Sequence, residues 1–482
     1  MAERQLSKHS SNKWVVLALL ALAQFMVVLD ISIVNVALPS IARDLHFTGN
    51  NLQWVITAYT LTFGGFLLLG GRAADIFGRR KIFITAVTMF ALASLACGLA
   101  HSETMIIITR AVQGLMASFM SPAALSILLS EFKEGPERNK AMGVWGGVAA
   151  GGAAAGLLLG GVLTQYLSWR WNFFVNVPIG MAVAFAATRL LPHHIGEENH
   201  KIKLDLPGAV LATGGLMSLV YGLSRAPSLG WGSHTVWSFI AAGIALLVGF
   251  IYNETKAKQP LMPLAIFKIR NVLGANVAFL VIACTMFSMF FFLTLYVQQV
   301  LGYSPVKSGV SFLPVTLIIG AMSAIMANVI GKIGYKPPMM MGPTVLAIGL
   351  FVISATMKVG GNYWHNVFPG LAIAAMGMGF TFIAGTLAAT SGVPKHFSGL
   401  ASGIINTAQQ VGGSIGLGIL TAIAYSTIKS DAAVHISQAS AQVHGYRNGL
   451  HVGVGLALAA AIVVTLVVKN QKVDAKEALQ AG

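Results

Sequence analysis

The sequence predicts an all-α polytopic membrane protein, and three observations carry that prediction. Of its 482 residues, 56% are hydrophobic and only 10% charged, whereas a soluble domain carries about a quarter charged residues. The mean hydropathy is +0.75. The apolar residues fall in long runs, and fourteen of these reach the length of about 20 residues that a spanning helix needs. The gaps between runs are short, which leaves no soluble domain for separate catalysis, so no enzyme is expected. A pI near 9.9 raises nucleic acid as a partner. The basic residues, however, sit in gaps between apolar runs and not on a soluble face, so the bilayer is the expected partner.

The elements follow in order. A basic N-terminal tail, 1–13, with Arg4, Lys8 and Lys13, precedes the first run at 14–38. That run is too long for a signal-peptide core and lacks a small-residue cleavage site, so it is expected to remain as the first span. Runs at 52–71, 82–100, 104–130, 140–164 and 171–191 complete a first group of six over 14–191. Two further runs, 206–225 and 234–253, make an additional pair within 206–253. A second six follows over 272–468, at 272–298, 309–331, 338–357, 366–390, 398–425 and 449–468, and the tail 469–482 closes the chain. An even number of spans places both termini on one side. The N-terminal tail, the even-numbered gaps and the C-terminal tail hold most of the 31 Lys and Arg. The opposite side has Arg43, Arg170, Arg225, Lys307, Lys358, Lys429 and Arg447. By the positive-inside rule both termini are expected to be cytoplasmic.

Removing the additional pair leaves six spans plus six, and the fifth span of each six is rich in glycine. Span 5 carries Gly151, Gly152, Gly156, Gly160 and Gly161; span 13 carries Gly403, Gly412, Gly413, Gly416 and Gly418. The gap after span 2 reads GGRAADIFGRRK and the gap after span 10 reads GKIGYKPP, a worn basic copy. Paired repeats are a transporter architecture; chance likeness between glycine-rich helices is the alternative.

Among fifteen acidic residues, Asp30 alone falls deep inside a run. A carboxylate there costs on the order of 2.5–3.5 kcal/mol even on insertion scales, so it is a functional candidate by default. Arg110 is the basic residue comparably embedded. Asp30 precedes Leu38 by ~12 Å of helix and Arg110 follows Thr104 by ~9 Å. The first span runs outward and the fourth inward, so both lie at a similar depth in the outer half. Such a pair is either a switchable proton-coupling device or a static ion pair. Gln113 and Gly114 share a helical face with Arg110. Gln113 either orients the guanidinium, touches substrate, or serves as an interhelical hydrogen bond. Tyr59, Gln113 and Asn406 are the expected polar contacts to a substrate. Gly152, Gly156 and Gly160 recur every four residues and, with Gly161, form a stripe for close helix packing.

In the gap from Gly71 to Lys81, Gly71 and Gly78 bracket Asp75, ahead of Arg79, Arg80 and Lys81. Asp75 is expected to cap a neighbouring helix N-terminus or to pair with Arg138 of the next cytoplasmic gap, as part of a gate. His193, His194 and His200 offer metal-ligand chemistry, but Glu197, Glu198 and Lys201 beside them read as a solvated loop. No metal is expected. Cys97 and Cys284 lie in separate runs and imply neither a disulfide framework nor a zinc site. The run Met286–Phe292 lines a pliable apolar cavity or faces lipid. No phosphate-binding loop, nucleophile elbow or HExxH occurs, which removes ATP-driven pumping and hydrolysis from consideration.

The motifs jointly resemble the major facilitator superfamily, specifically its fourteen-span drug/proton antiporters of the EmrB/QacA type, over essentially the whole chain. The segment Leu29-Asp30-Ile31-Ser32-Ile33-Val34-Asn35-Val36-Ala37-Leu38-Pro39 is similar to that group's first-span signature, and Gln53-Trp54 with Tyr59 to its second span. Gly71 through Arg80 resembles the superfamily's loop motif between spans 2 and 3, and Arg110-Ala-Val-Gln113-Gly114 its fourth-span motif. Trp169-Arg170-Trp171 through Asn176-Val-Pro178-Ile-Gly180 is also typical. One departure stands in span 5, where the antiporter motif Gly-Pro-x-x-Gly-Gly reads Gly156-Leu157-Leu-Leu-Gly160-Gly161. The resemblance implies the major facilitator fold, two six-helix bundles with two extra central spans. It also implies efflux of amphiphilic compounds in exchange for protons by alternating access; the single embedded carboxylate, Asp30, limits the expected cargo to neutral or monocationic lipophilic compounds. No cofactor is implied beyond the proton gradient, and a monomer in the cytoplasmic membrane is expected. The competing expectations are proton-coupled uptake of a small solute, and, from another class, a channel or a membrane receptor.

Overall fold

The computed structural model describes residues 2–47, 49–132, 135–191, 204–393 and 398–471. Among these, fourteen helices are long and apolar enough to cross a membrane. The first six spans are α1 (Ala2–Asp44), α2 (Trp54–Phe77), α3 (Arg79–Gly98), α4 (Glu103–Glu131), α5 (Pro136–Tyr166) and the broken helix α6 (Trp171–Phe174) with α7 (Asn176–Leu190). The additional pair is α8 (Leu206–Leu229) and α9 (His234–Lys256). The second six are α10 (Arg270–Leu295), α11 (Pro305–Ile333), α12 (Lys336–Thr356), α14 (Phe368–Thr390), α15 (Ser398–Ala433) and α16 (Gln438–Val467), with the short α13 (Tyr363–Asn366) leading into α14.

The two groups of six pack by one plan. In the first, α1 packs on α5 and α7, α2 on α4, and α3 on α4 and α7. In the second, α10 packs on α15 and α16, α11 on α14, and α12 on α14 and α16. The pairing is therefore first helix with fifth and sixth, second with fourth, third with fourth and sixth, twice over. The glycine stripes serve the same seam in each. A Cβ on Gly152 would lie 3.2 Å from the carbonyl oxygen of Phe25, and one on Gly160 2.6 Å from that of Ile33, both on α1. Cβ atoms on Gly412 and Gly416 would lie 2.1 and 2.2 Å from the carbonyls of Leu280 and Cys284 on α10. Only glycine admits backbones this close. The glycines that break the chain between the second and third helices also match, Gly78 at φ 91° and Gly334 at φ 82°.

The bundles join across two seams, α2 with α15 and α5 with α11, and α1 touches α10 between them. The additional pair is not symmetric: α8 packs on both α2 and α15 and so covers one seam, while α9 packs on α8. At the face opposite the termini, Gln298 donates to the Val36 carbonyl at 2.9 Å and the Val306 amide donates to Gln165 at 3.1 Å. Gly161 belongs to this join, for a Cβ there would lie 2.7 Å from the Pro305 carbonyl oxygen on α11. Toward the terminal face, Cβ atoms on Gly143, Gly146, Gly147 and Gly151 of α5 would meet open space.

Three sequence expectations are corrected. The first span does not end near Leu38; its helix runs through Pro39 to Asp44, since one proline removes a single backbone bond without ending a long helix. The stretch Gly71–Phe77 is not a loop but the last turns of α2. Arg-Ala-Ala-Asp-Ile-Phe contains no helix breaker, and the turn falls on Gly78, whose positive φ suits glycine. The run Met286–Phe292 is split: Met289, Phe291 and Phe292 are buried core, with Phe292 stacked on Tyr446 at 5.4 Å, while Met286, Phe287 and Phe290 stay partly exposed. His193, His194, His200, Glu197, Glu198 and Lys201 lie outside the described residues.

Candidate functional site

Asp30 and Arg110, buried to 0% and 1% exposure, form an ion pair inside the first bundle. Arg110 Nη1 lies 2.5 Å from Asp30 Oδ2 and donates also to Gln113 Oε1 at 2.7 Å, while its Nε donates to the Val55 carbonyl at 2.9 Å. The other carboxylate oxygen, Oδ1, accepts from Gln113 Nε2 at 2.8 Å and from Asn176 Nδ2 at 2.9 Å. Ser94 Oγ accepts from the same two amides, each at 3.1 Å, and donates to the Phe173 carbonyl at 2.9 Å. The Arg110 guanidinium lies over the Tyr59 ring, 4.3 Å from Cζ to centroid, and the Tyr59 hydroxyl is buried without a hydrogen-bond partner. Five spans thus converge on one carboxylate: α1, α2, α3, α4 and α7.

Local structure explains the convergence. Gln113 is one turn beyond Arg110 on α4, so both side chains point the same way. Gly114 brings α4 onto α2, for a Cβ there would lie 2.2 Å from the Tyr59 carbonyl oxygen. Asn176 opens α7, just after the break that follows α6. Arg170 fixes that break by donating to the carbonyls of Gly98 and Ala100 at 3.0 and 2.5 Å and to Asp44 at 3.1 Å. Trp169 Nε1 donates to the same Asp44 oxygen at 2.9 Å. The ends of α1 and α3 are thereby tied to the start of α6.

Chemically, the site holds one buried carboxylate that accepts three hydrogen bonds, one at Oδ2 and two at Oδ1. Buried ion pairs are seldom a source of net stability, because desolvation offsets their attraction. An intramembrane pair of this kind is by default a functional candidate. The second bundle has no acidic counterpart: its helices carry one acid, Asp431, near the end of α15, and the face of α10 packed by Gly416 has Thr285 beside Cys284. Thr285 is buried and donates to the Ile282 carbonyl of its own helix at 2.9 Å.

The other expected residues are dispersed. Asn406 is exposed on α15 in the second bundle, its amide donating to the Ser402 carbonyl at 3.1 Å. It shares no wall with Tyr59 and Gln113, which are wholly buried around Asp30. Asp75 does not pair with Arg138 and caps no helix; it accepts from Arg79 Nε and Nη2 at 3.2 and 3.1 Å, across the break at Gly78. Arg80 donates to the Thr188 carbonyl at 2.8 Å, and Arg138 to the Leu129 carbonyl at 3.4 Å. Gly71 faces Pro122 of α4. Gly156 packs directly behind the ion pair, where a Cβ would lie 3.0 Å from the Leu29 carbonyl oxygen. Ser94 and Asn176 were missing from the expected site. Asn176 carried a signal, as a polar residue two before a proline inside an apolar run; Ser94 carried none.

Two like bundles of membrane-length helices, the first burying an ion pair, make a multi-pass membrane transporter, not an enzyme. The chain belongs to the Major Facilitator Superfamily, whose family model matches residues 20–417. It is 38% identical over 475 residues to the puromycin resistance protein of Streptomyces alboniger, covering 97% of this chain and 93% of that one. It is 38% identical over 423 residues to the cephamycin export protein of Amycolatopsis lactamdurans, covering 86% of each. Among solved structures, a peptide transporter in complex with sulfate superposes with a TM-score of 0.69 at 15% identity, covering 94% of each chain. That last likeness is one of fold.

Proposed function

We propose that this protein exports lipophilic neutral or monocationic drugs from the cell in exchange for protons, by alternating access of its two bundles. The observation that carries this reading is the sealed Asp30–Arg110 pair, a lone carboxylate whose partner, Arg110, is also held by Gln113 and Val55. Protonation of Asp30 cancels its attraction for Arg110, so the packing of α1 against α4 and α7 depends on proton occupancy. The contacts at the far face and the open space beside the terminal half of α5 fit a carrier open toward its termini. The positive-inside charge bias supports the cytoplasm as that side and the cytoplasmic membrane as the location. The kinship with resistance and export proteins of actinomycetes supports drugs as the cargo.

The test uses inside-out membrane vesicles containing the full chain. Acidifying the lumen is expected to drive accumulation of a fluorescent lipophilic monocation, and collapsing the proton gradient to release it. Accumulation that ignores the gradient overturns proton coupling; accumulation only with an alkaline lumen makes the protein an importer.

A further inference from the structure

A second pair of acids lies outside both bundles, in the additional helices. Asp205 caps the start of α8, its Oδ1 accepting from the Gly208 amide at 2.9 Å. Glu254 lies in the last turn of α9. Both are buried, at 8% and 4% exposure. Asn253 Nδ2 donates to Asp205 Oδ1 and Oδ2 at 3.0 and 2.8 Å, and the Met262 amide donates to Glu254 Oε2 at 2.8 Å. Glu254 Oε1 is left buried with no hydrogen-bond donor. It faces the other acid beside Gly208. A Cβ on Gly208 would touch both Asp205 Oδ2 and Glu254 Oε1, at 2.6 and 3.0 Å.

Asp205 Oδ2 keeps its bond from Asn253, but Glu254 Oε1 beside it has no donor, and two acceptor oxygens facing each other need a proton between them. The helix ends say which acid holds it. Asp205 sits at a helix N-terminus, where the dipole and the Gly208 amide favour a carboxylate; Glu254 sits at a helix C-terminus, where negative charge is disfavoured. We propose that Asp205 and Glu254 form a proton-binding site, with Glu254 Oε1 carrying the proton and donating it to Asp205 Oδ2. The site is wired to α2. Arg72 Nη1 donates to the Gln259 carbonyl at 2.5 Å and Nη2 to the Pro260 carbonyl, so it clamps the segment that wraps Glu254. The Arg72 charge also interacts with both acids. Loss of the proton sets two carboxylates against each other, draws Arg72 from the two carbonyls toward them, and loosens the 257–263 segment from α2. Arg72 stands three residues before Asp75, so proton occupancy here bears on the end of α2.

The test reads the proton itself and needs no substrate, so it stands apart from the drug-export reading. The full chain in lipid nanodiscs is titrated while the infrared carbonyl stretch of protonated carboxylic acids is followed. One such band is expected to vanish as pH rises, to be absent in Glu254→Gln and to survive in Asp30→Asn. In parallel, hydrogen exchange over 257–263 is expected to lose about tenfold or more of its protection as that band disappears, as a local opening does. In Glu254→Gln, whose amide still donates to Asp205, protection should stay constant over the same pH range. A carboxylic-acid band unchanged in Glu254→Gln overturns the proton site; protection that falls equally in Glu254→Gln overturns the link to α2.

Discussion

At the scale of single residues, the proposed proton coupling rests on Asp30. Asp30→Asn keeps the shape but cannot exchange a proton, and one amide oxygen still accepts from Gln113 and Asn176. The variant is expected to fold and insert normally while gradient-driven export falls to the level of vesicles lacking the protein. Export that keeps its dependence on the gradient in this variant would remove Asp30 from the coupling role. Gln113 separates two roles. Its carbonyl accepts from Arg110 and its amide donates to Asp30 and Ser94, which leaves nothing for a substrate. Gln113→Ala should therefore slow export of chemically different drugs by a similar factor, and a selective loss for one drug class would restore it as a substrate contact. Asp30 and Arg110 were legible in the sequence because charge inside an apolar run is costly and rare. Ser94 and Asn176 were not, since a hydroxyl or amide in a membrane helix more often bonds its own backbone, as Thr285 does.

At the scale of elements, helices were legible from hydropathy and their ends were not, because ends are set by backbone torsion at single residues. Gly78 looked like one of two glycines bracketing a loop, yet it alone makes the turn, and Asp75 therefore points at Arg79 one turn on. The exposed Asp75–Arg79 pair contributes little stability, about 0.3–0.5 kcal/mol for a pair of this spacing. Its value lies in bridging α2 to α3 across the break. Asp75→Ala should slow turnover with little change in equilibrium drug binding; a large loss of binding at normal turnover would place the residue in the substrate path. The glycine stripes make a sharper claim. Gly160→Val would drive a side chain onto the Ile33 backbone, and Gly416→Val onto that of Cys284. Overpacking of this sort costs about 1–3 kcal/mol, so both variants should unfold at lower temperature in detergent. Gly147→Val, which meets open space, serves as the comparison and should melt as the parent does. Equal melting of all three would mean that the repeated seam between first and fifth helices does not hold either bundle together.

At the scale of the whole molecule, the repeat decides what charge a substrate can carry. The two bundles share one packing plan, but the helices of the second carry no acid except Asp431 near the end of α15, so a cavity between them is faced by one deeply placed acid and not two. Asp205 and Glu254 lie on the additional pair, outside both bundles. Asp30 is moreover engaged by Arg110, and it can attract a cation only when it is ionised and that contact is broken. A monocation can then be balanced. A dication would keep a second charge unpaired in a low-dielectric site, at a cost on the order of several kcal/mol, which is a hundredfold or more in affinity by the ordinary conversion of about 1.4 kcal/mol per tenfold. A matched series of monovalent and bivalent lipophilic dyes of similar size, assayed for efflux at one fixed pH gradient, measures the difference. The bivalent dyes are expected to be exported at least about tenfold more slowly, and introducing a second acid by Thr285→Asp is expected to narrow the gap. If the parent protein exports both classes equally well, a further carboxylate must reach the cavity during the cycle, and the single-acid account of its selectivity fails.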